Sequence, residues 1–489
     1  MGSQAQIAVV ILGYMALTVF IGLFASHRKK KKAALQSNDD FLLASKSLGP
    51  FVLAATLFAA NTGGASTMGV ANNVRTQGLS AAWWVIAAGI GFFLVSFIAP
   101  YFRRARSSTV PGIVGLRYGK ASHMFTAFTS ISALFMATGA QIIGTASIIS
   151  VIAGLDFRIA AILTTIVVLL YTMLGGFKAV ASANILHLLT IVFGMAIAMF
   201  VMVNNPEVGG FGSLFARADE MSAVHEQGLD FLSMTAVGLP AIIGFVAMYC
   251  FTFPTGQEIV QGYCSAKDGK SAKLGSIIAA AVSAAYAIVP AMIGLVAVTF
   301  VDGFLETGGN AMAMATMAFT HPVIAGVVLS SLVAATVSSA SGNMIGTATM
   351  FTNDVYRPYI SKGVKDDNRE IAASRIAMVS VGLVGLIVAL VASNLIAVMM
   401  TAFALRSAGP FAAFVCGLFY KNVTVRAGFV SILIGTLIAA IWIFALGTPW
   451  GLNGMVPGGI AAFITIFLVS AVDRKMGIAP APELEFDAD

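Results

Sequence analysis

Long apolar runs dominate the pattern of hydrophobic and polar positions along this chain. Stretches of roughly 17–25 mainly apolar residues are long enough to cross a bilayer as a helix, and they recur thirteen times in the sequence. They predict an all-α polytopic membrane protein with a single transmembrane domain over residues 1–475. The predicted spans are residues 5–26, 51–72, 80–102, 123–153, 158–174, 179–203, 231–257, 274–301, 322–351, 376–393, 395–419, 427–446 and 456–472.

Two of these spans are interrupted near mid-depth by residues that weaken a helix. The second span reads FAANTGGASTMG over residues 58–69, and the seventh reads CFTFPTGQEIVQ over residues 250–261. Glycines in a single span can serve close helix packing alone, but unwound backbone at this depth also persists where it faces a polar cavity. Spans 2–6 and 7–11 are five-span sets, over about 51–203 and 231–419, so the second set runs opposite to the first. Paired interruptions that open two inverted repeats indicate a transporter whose binding site lies at the interruptions.

The ninth span carries more hydroxyl and amide side chains than a lipid-facing helix would. We expect Thr347 and Thr349 to bond carbonyls of their own helix. The adjacent Ser338 and Ser339 lie one turn after Ala335 and can offer hydroxyl oxygens beside a backbone carbonyl. A hard cation such as Na⁺ takes oxygen ligands, and carbonyls freed by a broken helix supply others. The pattern therefore predicts a sodium site between this span and an interrupted one.

Composition and charge place the chain in a membrane and set its orientation. With 58% hydrophobic and 10% charged residues, the chain lies outside the soluble range. Of its 28 Lys and Arg, 24 lie in alternate connections between spans, which predicts a multi-pass protein of the cell membrane with its N-terminus outside and its C-terminus in the cytoplasm. The net charge of +7 thus reflects topology and not a nucleic-acid partner. We expect the acidic tail, residues 476–489, to be disordered. No nucleophile–base or carboxylate pair suggests an enzyme.

Arg406 is a single charge in the middle of the eleventh predicted span. Burying a guanidinium is energetically costly unless an opposite charge or a hydrogen-bond acceptor pairs with it. Glu258, the nearest acid in membrane depth, lies toward the cytoplasmic end of another span. Three interpretations stay open. Arg406 binds a substrate carboxylate with a fork geometry that Lys cannot copy, or it pairs with Glu258 or with free carbonyls of the broken seventh span as a gate, or it reaches a water-filled vestibule.

Several segments resemble the sodium/solute symporter family, which includes sodium-coupled galactose, proline, sialic acid, pantothenate and monocarboxylate transporters. The resemblance covers about residues 5–475. It implies the leucine-transporter fold, with ten core helices in two inverted repeats, one helix before them and two after. The segments that carry it are FLLASKSLGP (41–50), AANTGGASTMG (59–69), TVPGIVGLRYG (109–119), GGFKAV (175–180), GQEIVQGYCSAKD (256–268) and the ninth-span segment that ends in FTNDVY.

The resemblance also implies site residues. The family's sodium site falls on main-chain oxygens of Ala59, Thr62 and Ala335 and on the hydroxyls of Ser338 and Ser339. Substrate in the family lies beside the two broken helices. This nominates Asn61, Ser66, Thr255 and Gln257, with Gln141 as a further candidate that can instead bridge two helices.

One departure from the family pattern bears on coupling. Many members carry Asp where this chain has Asn184, and in two-sodium members that acid helps to hold a second ion; Gly342 also replaces an expected hydroxyl. One Na⁺ per solute is therefore favoured. His187, on the same helical face as Asn184, can titrate near neutral pH or make a structural hydrogen bond.

The sequence thus predicts a sodium-coupled symporter that imports a small organic solute, with amino acids or carboxylates favoured, by alternating access. Proton coupling and a transporter-like solute sensor are the alternatives. A monomer suffices, and the oligomeric state is left open.

Overall fold

The structure is a computed structural model. It describes residues 46–224, 228–364, 366–392 and 395–487, together with residues 6, 7, 9–11, 13, 14, 16, 17, 20, 42 and 43. The first predicted span, 5–26, and the basic stretch after it lie mostly outside the described residues. Within the described residues the regular structure is helical, and strand-like pairing is limited to two isolated bridges, Leu48 with Ala266 and Ala105 with Phe486.

Twenty α-helices follow one another along the described chain. The first ten are α1 Pro50–Asn61, α2 Val70–Gln77, α3 Trp83–Val95, α4 Ala99–Arg104, α5 Val110–Ala153, α6 Phe157–Leu189, α7 Met195–Val203, α8 Gly210–Val224, α9 Leu239–Thr255 and α10 Gln257–Cys264. The second ten are α11 Gly269–Tyr286, α12 Ile288–Phe300, α13 Phe304–Thr307, α14 Ala311–Phe319, α15 Pro322–Met350, α16 Asp367–Val391, α17 Leu395–Ser407, α18 Pro410–Phe419, α19 Val425–Ala440 and α20 Met455–Lys475. Wider π-type turns adjoin some of these helices. One, Ala65–Gly69, leads into α2, and the others, Thr190–Gly194, Phe351–Ile360 and Ile441–Ala445, follow α6, α15 and α19.

The predicted spans from the second to the thirteenth each have a helical counterpart. The described residues contain eight helices long and apolar enough to cross a membrane, or ten when two bent pairs are counted as single spans. The fifth and sixth predicted spans share the helical run that begins at Phe157. The seventh span was placed too early: its helix begins at Leu239, after Gly238 with φ +83° and with Pro240 in its first turn. Hydropathy does not report such a start, because the residues before it are also apolar.

Both predicted interruptions are present. In the second span α1 ends at Asn61, and helical structure begins again at Ala65 with a π-type turn. In the seventh, α9 and α10 meet at Gly256 with a bend of 52°. A third bend, which the sequence analysis missed, separates α17 from α18 by 43°. It lies at Gly409, where a Cβ would stand 2.1 Å from the carbonyl oxygen of Ile432. The pair Gly409–Pro410 was the available signal.

The broken helices surround a central one. In the span Pro322–Ile360, which contains α15, 83% of the most apolar window is buried, against 39% for α16 and 33% for α20. Helix α15 packs against α5, α6 and α1. Since its polar side chains face protein and not lipid, the hydroxyl-rich ninth span is the centre of the molecule, and the last two spans lie at its edge.

The tail after α20 differs from the disorder expected of it. Ala481 N–H donates to Val423 O at 2.7 Å, and the buried Arg117 donates to Ala481 O at 3.0 Å. Further along, Glu485 pairs with Arg106, and Asp487 N–H donates to Arg104 O at 2.9 Å. The acidic tail is held because the connection that it meets, residues 103–120, is basic.

Candidate functional site

The two broken helices, the central helix, α5 and α17 enclose a narrow cavity. It has space for no more than about one water molecule. Its walls combine amides, aromatic rings and one charge of each sign. The lining residues are Ala60, Asn61, Ala137, Gln141, Phe253, Glu258, Ile259, Asn343, Met399, Phe403 and Arg406.

The break after α1 frees backbone groups that other elements then take up. In an unbroken helix Gly63 N–H would donate to Ala59 O, but here it donates to Asn61 O at 3.0 Å. Gly64 N–H likewise turns away from the helix and donates to Gln141 Oε1 at 2.8 Å. Gln141 therefore bridges α5 to the break, and the carbonyl of Ala59 is left available to a partner from outside its helix.

That partner is the serine pair of α15. Ser339 Oγ donates to Ala59 O at 2.8 Å, and Ser338 Oγ approaches the same oxygen at 3.5 Å. The hydroxyl of Thr62 is buried and has no hydrogen-bond partner among the described residues. Ala335, one turn before the serines, is completely buried on the same helix. The structure thus brings two hydroxyls and a freed carbonyl together without contact with solvent, and oxygen donors of this kind suit a hard monovalent cation.

Of the nominated substrate residues, Arg406, Asn61 and Gln141 face the cavity. Asn61 Nδ2 is buried with no hydrogen-bond partner within the described chain. Ser66 Oγ donates to Asn61 O at 2.9 Å and Thr255 Oγ1 to Ser407 Oγ at 2.8 Å. Their hydroxyls are thus engaged within the protein, and neither residue is among the cavity's lining.

Gln257 contacts a different part of the molecule. Its Oε1 accepts from Val110 N–H at 3.0 Å, and its Nε2 donates to Ser108 O at 2.9 Å. The side chain therefore ties the second broken helix to the start of α5. The amide that the sequence suggested for substrate is held by two backbone groups and is not among the cavity's lining.

Arg406 pairs with Glu258, the partner named in one of its three interpretations. Its Nη1 donates to Glu258 Oε2 at 2.8 Å and its Nη2 to Glu258 Oε1 at 2.6 Å. The side chains are 1% and 8% exposed, and the guanidinium carbon lies 4.8 Å from the centre of the Phe403 ring. The bend in span 11 brings Arg406 to the end of α17, and Gly256 leaves room for it, since a Cβ there would stand 2.8 Å from Nη2.

The residues nominated for coupling lie elsewhere on the helix that begins at Phe157. His187 Nδ1 is 3.1 Å from the hydroxyl oxygen of Tyr14, and that hydroxyl also donates to Thr190 Oγ1 at 3.3 Å. Asn184 is buried, and its Oδ1 has no hydrogen-bond partner in the described part of the chain. Neither residue lines the cavity. The geometry around His187 matches the structural hydrogen bond that was one of its two interpretations.

A second polar cluster, which lies around Asp354, was missed by the sequence analysis. Asp354 Oδ1, on the turn that continues α15, accepts from Thr109 Oγ1 at 2.9 Å and lies 2.9 Å from His123 Nε2. Next to it, Asn353 Nδ2 donates to Ser108 Oγ at 3.1 Å. With Gln257, this cluster joins the central helix, the second broken helix and the start of α5. The FTNDVY segment drew attention to Asn353 and Asp354 in the sequence, but it did not indicate which side chains they contact.

Comparison with known proteins agrees with the geometry. The family model described as the Sodium:solute symporter family matches residues 41–435. The osmoregulated proline transporter OpuE of Bacillus subtilis (strain 168) is 26% identical over 467 residues, which cover 89% of this chain and 90% of that protein. The high-affinity proline transporter PutP of the same strain is also 26% identical, over 93% of this chain and 96% of that protein.

Solved structures share the fold. The substrate-bound, outward-open structure of a Na⁺-coupled sialic acid symporter superposes with a TM-score of 0.79 at 18% identity, over 98% of this chain and 99% of that one. The structure of MhsT in complex with L-phenylalanine superposes with a TM-score of 0.56 at 14% identity, over 86% of this chain and 98% of that one. These likenesses confirm the predicted leucine-transporter fold.

Proposed function

Because the chain belongs to the sodium:solute symporter family and is a sodium-coupled solute symporter of the cell membrane, we propose that it imports one small amino acid or carboxylate with one Na⁺. Transport proceeds by alternating access around the two broken helices. The observation that carries this proposal is the meeting of Ser338 and Ser339 with the freed carbonyl of Ala59. This contact joins the first broken helix to the central helix, so an ion bound there stabilises one arrangement of the two repeats over another.

The sodium ligands are the main-chain oxygens of Ala59, Thr62 and Ala335 and the hydroxyls of Ser338 and Ser339. Burial supports this assignment, because all five residues are at most 2% exposed and a cation there is coordinated by protein oxygens. A single ion is favoured because Asn184 stands where two-sodium members have an acid. An amide oxygen can still coordinate Na⁺, but it adds no negative charge to offset a second ion.

The solute site is the cavity beside the break. Asn61 offers an amide donor with no protein partner in the described chain, while Arg406 and Glu258 supply charge. Two of its relatives are proline transporters, which supports a small amino acid as the solute. Ser66, Thr255 and Gln257 act on the solute through the backbone that they hold, because their side chains are engaged elsewhere.

The Asp354 cluster and Gln257 form the closure on the cytoplasmic side. They tie together the second broken helix, the central helix and the start of α5. The excess of basic residues in connections such as 103–120 supports this orientation. It also supports a cytoplasmic C-terminus. Opening toward the cytoplasm requires these hydrogen bonds to break.

The test is uptake into proteoliposomes loaded with potassium buffer. An inward sodium gradient should drive accumulation of L-proline or another small amino acid. An equal potassium gradient, or a pH gradient in sodium-free buffer, should drive none. Accumulation that follows the pH gradient without sodium would refute sodium coupling. Sodium-driven accumulation of sugars but of neither amino acids nor carboxylates would refute the solute class.

A further inference from the structure

The charges that line the cavity cancel. Among its described lining residues, Glu258 and Arg406 are the two charged ones, and they bind each other through two hydrogen bonds of 2.8 and 2.6 Å. The remaining lining residues are neutral, and they include the amides of Asn61, Gln141 and Asn343 and the rings of Phe253 and Phe403. The cavity therefore offers a solute no net charge, but it offers two opposite charges side by side.

The effect on an entering solute depends on which of the two charges the solute can satisfy. A monocarboxylate that takes the two Nη groups of Arg406 must displace Glu258, and it leaves that carboxylate buried without a counter-ion, which is strongly unfavourable. An amine that binds Glu258 must displace Arg406, and it leaves that guanidinium buried without a counter-ion. A sugar can hydrogen-bond to the pair but cannot replace either partner. A zwitterion carries a carboxylate and an ammonium group on neighbouring atoms, so it can replace both partners at once while the cavity keeps zero net charge.

We propose that the Arg406–Glu258 pair selects α-amino acid zwitterions. The solute carboxylate binds Arg406, its ammonium binds Glu258, and the pair re-forms when the solute leaves. This deepens the proposed function, on which it rests, by naming the solute class and the residues that choose it. It also joins two interpretations of Arg406, since the guanidinium is both the carboxylate ligand and one half of a closing contact.

The position of the pair couples this exchange to the fold. Arg406 lies in the last turn of α17, just before the bend at Gly409, and Glu258 lies in the first turn of α10, just after the break at Gly256. A Cβ at Gly256 would stand 2.8 Å from Arg406 Nη2 and 3.0 Å from Glu258 Oε1. The pair thus links two bent spans directly at their bends. Because the cavity is narrow, a solute that separates the pair must also separate α10 from α17.

Binding of matched solutes to purified protein in saturating sodium tests the proposal. The probes are L-proline with cyclopentanecarboxylate, and L-alanine with propionate; each second compound lacks only the amine. Wild type should bind each amino acid at least tenfold more tightly than its partner. Glu258→Gln leaves Arg406 as an unpaired cation, so it should bind the monocarboxylates at least tenfold more tightly than wild type does and should bind the amino acids more weakly. Sodium binding without solute should change less than threefold.

The double variant Glu258→Gln/Arg406→Gln serves as the neutral control, and Glu258→Asp covers the case in which the amide variant does not fold. The double variant should discriminate less than threefold between an amino acid and its partner, and Glu258→Asp should keep the wild-type preference. A wild-type preference in folded Glu258→Gln would overturn the proposal, as would tight wild-type binding of the monocarboxylates. If sodium itself fails to bind wild type, the sodium-coupled function fails instead, and the two failures are thereby distinguished.

Discussion

Removal of the Ser339 hydroxyl tests the sodium site at its best-defined contact. Ser339→Ala deletes the donor that lies 2.8 Å from Ala59 O and adds no bulk. If the hydroxyl is one of five sodium ligands, its loss should weaken sodium binding at least tenfold, or about 1.4 kcal/mol. The buried carbonyl of Ala59 also loses its best donor, because Gly63 N–H is already turned to Asn61 O. Leaving a buried acceptor unsatisfied costs about 1–3 kcal/mol, so ion-free protein should also be less stable.

Ser331→Ala is the matched control. Ser331 lies two turns earlier on α15 and is also buried, but its hydroxyl donates to Val327 O of its own helix at 2.7 Å. That carbonyl keeps its helical partner, so the substitution should cost less than about 1 kcal/mol of stability. Binding of radiolabelled sodium to purified protein, with thermal unfolding in sodium and in choline, measures both quantities. Equal sodium affinity in Ser339→Ala, Ser331→Ala and wild type would refute the site.

Further predictions follow from other contacts. Sodium-driven uptake should show a Hill coefficient near one; a value near two, with two charges moved per neutral solute, would contradict a single ion. His187→Gln should keep sodium-driven uptake, because His187 hydrogen-bonds Tyr14 and does not line the cavity; loss of a sodium-free, pH-driven uptake in this variant would instead establish proton coupling. Gly409→Ala should lower the melting temperature, because its Cβ would meet backbone at 2.1 Å, whereas Gly342→Ala, with nothing within 4 Å, should raise it slightly. Truncation after Lys475 should destabilise the protein by roughly 1–3 kcal/mol, since it removes the carbonyl that accepts from buried Arg117; an unchanged melting temperature would show that the tail contacts add nothing.

The two interrupted helices were predictable because their cause is local. Asn61, Thr62 and two glycines cannot sustain a helix well, and Pro254 with Gly256 weakens the seventh span in the same way. The bend at Gly409 had a comparable local signal but was overlooked within a long apolar run. The contacts of the tail had no local signal, because its acidic residues meet a basic connection that only the fold brings near.

Sequence alone determined the approximate positions of the apolar spans after the first, the broken helices and the hydroxyl-rich ninth span, because hydropathy and helix propensity are properties of neighbouring residues. The tertiary structure decided which polar groups meet. Ser339 and Ala59 are 280 positions apart, and Arg406 and Glu258 are 148 apart, so no local pattern could pair them. Span boundaries alone could not show that Glu258 meets Arg406, because they do not include the two bends that bring α10 and α17 together. A buried charge pairs with a group that the folded backbone places within reach. Here the two bends place Glu258 within hydrogen-bond distance of Arg406.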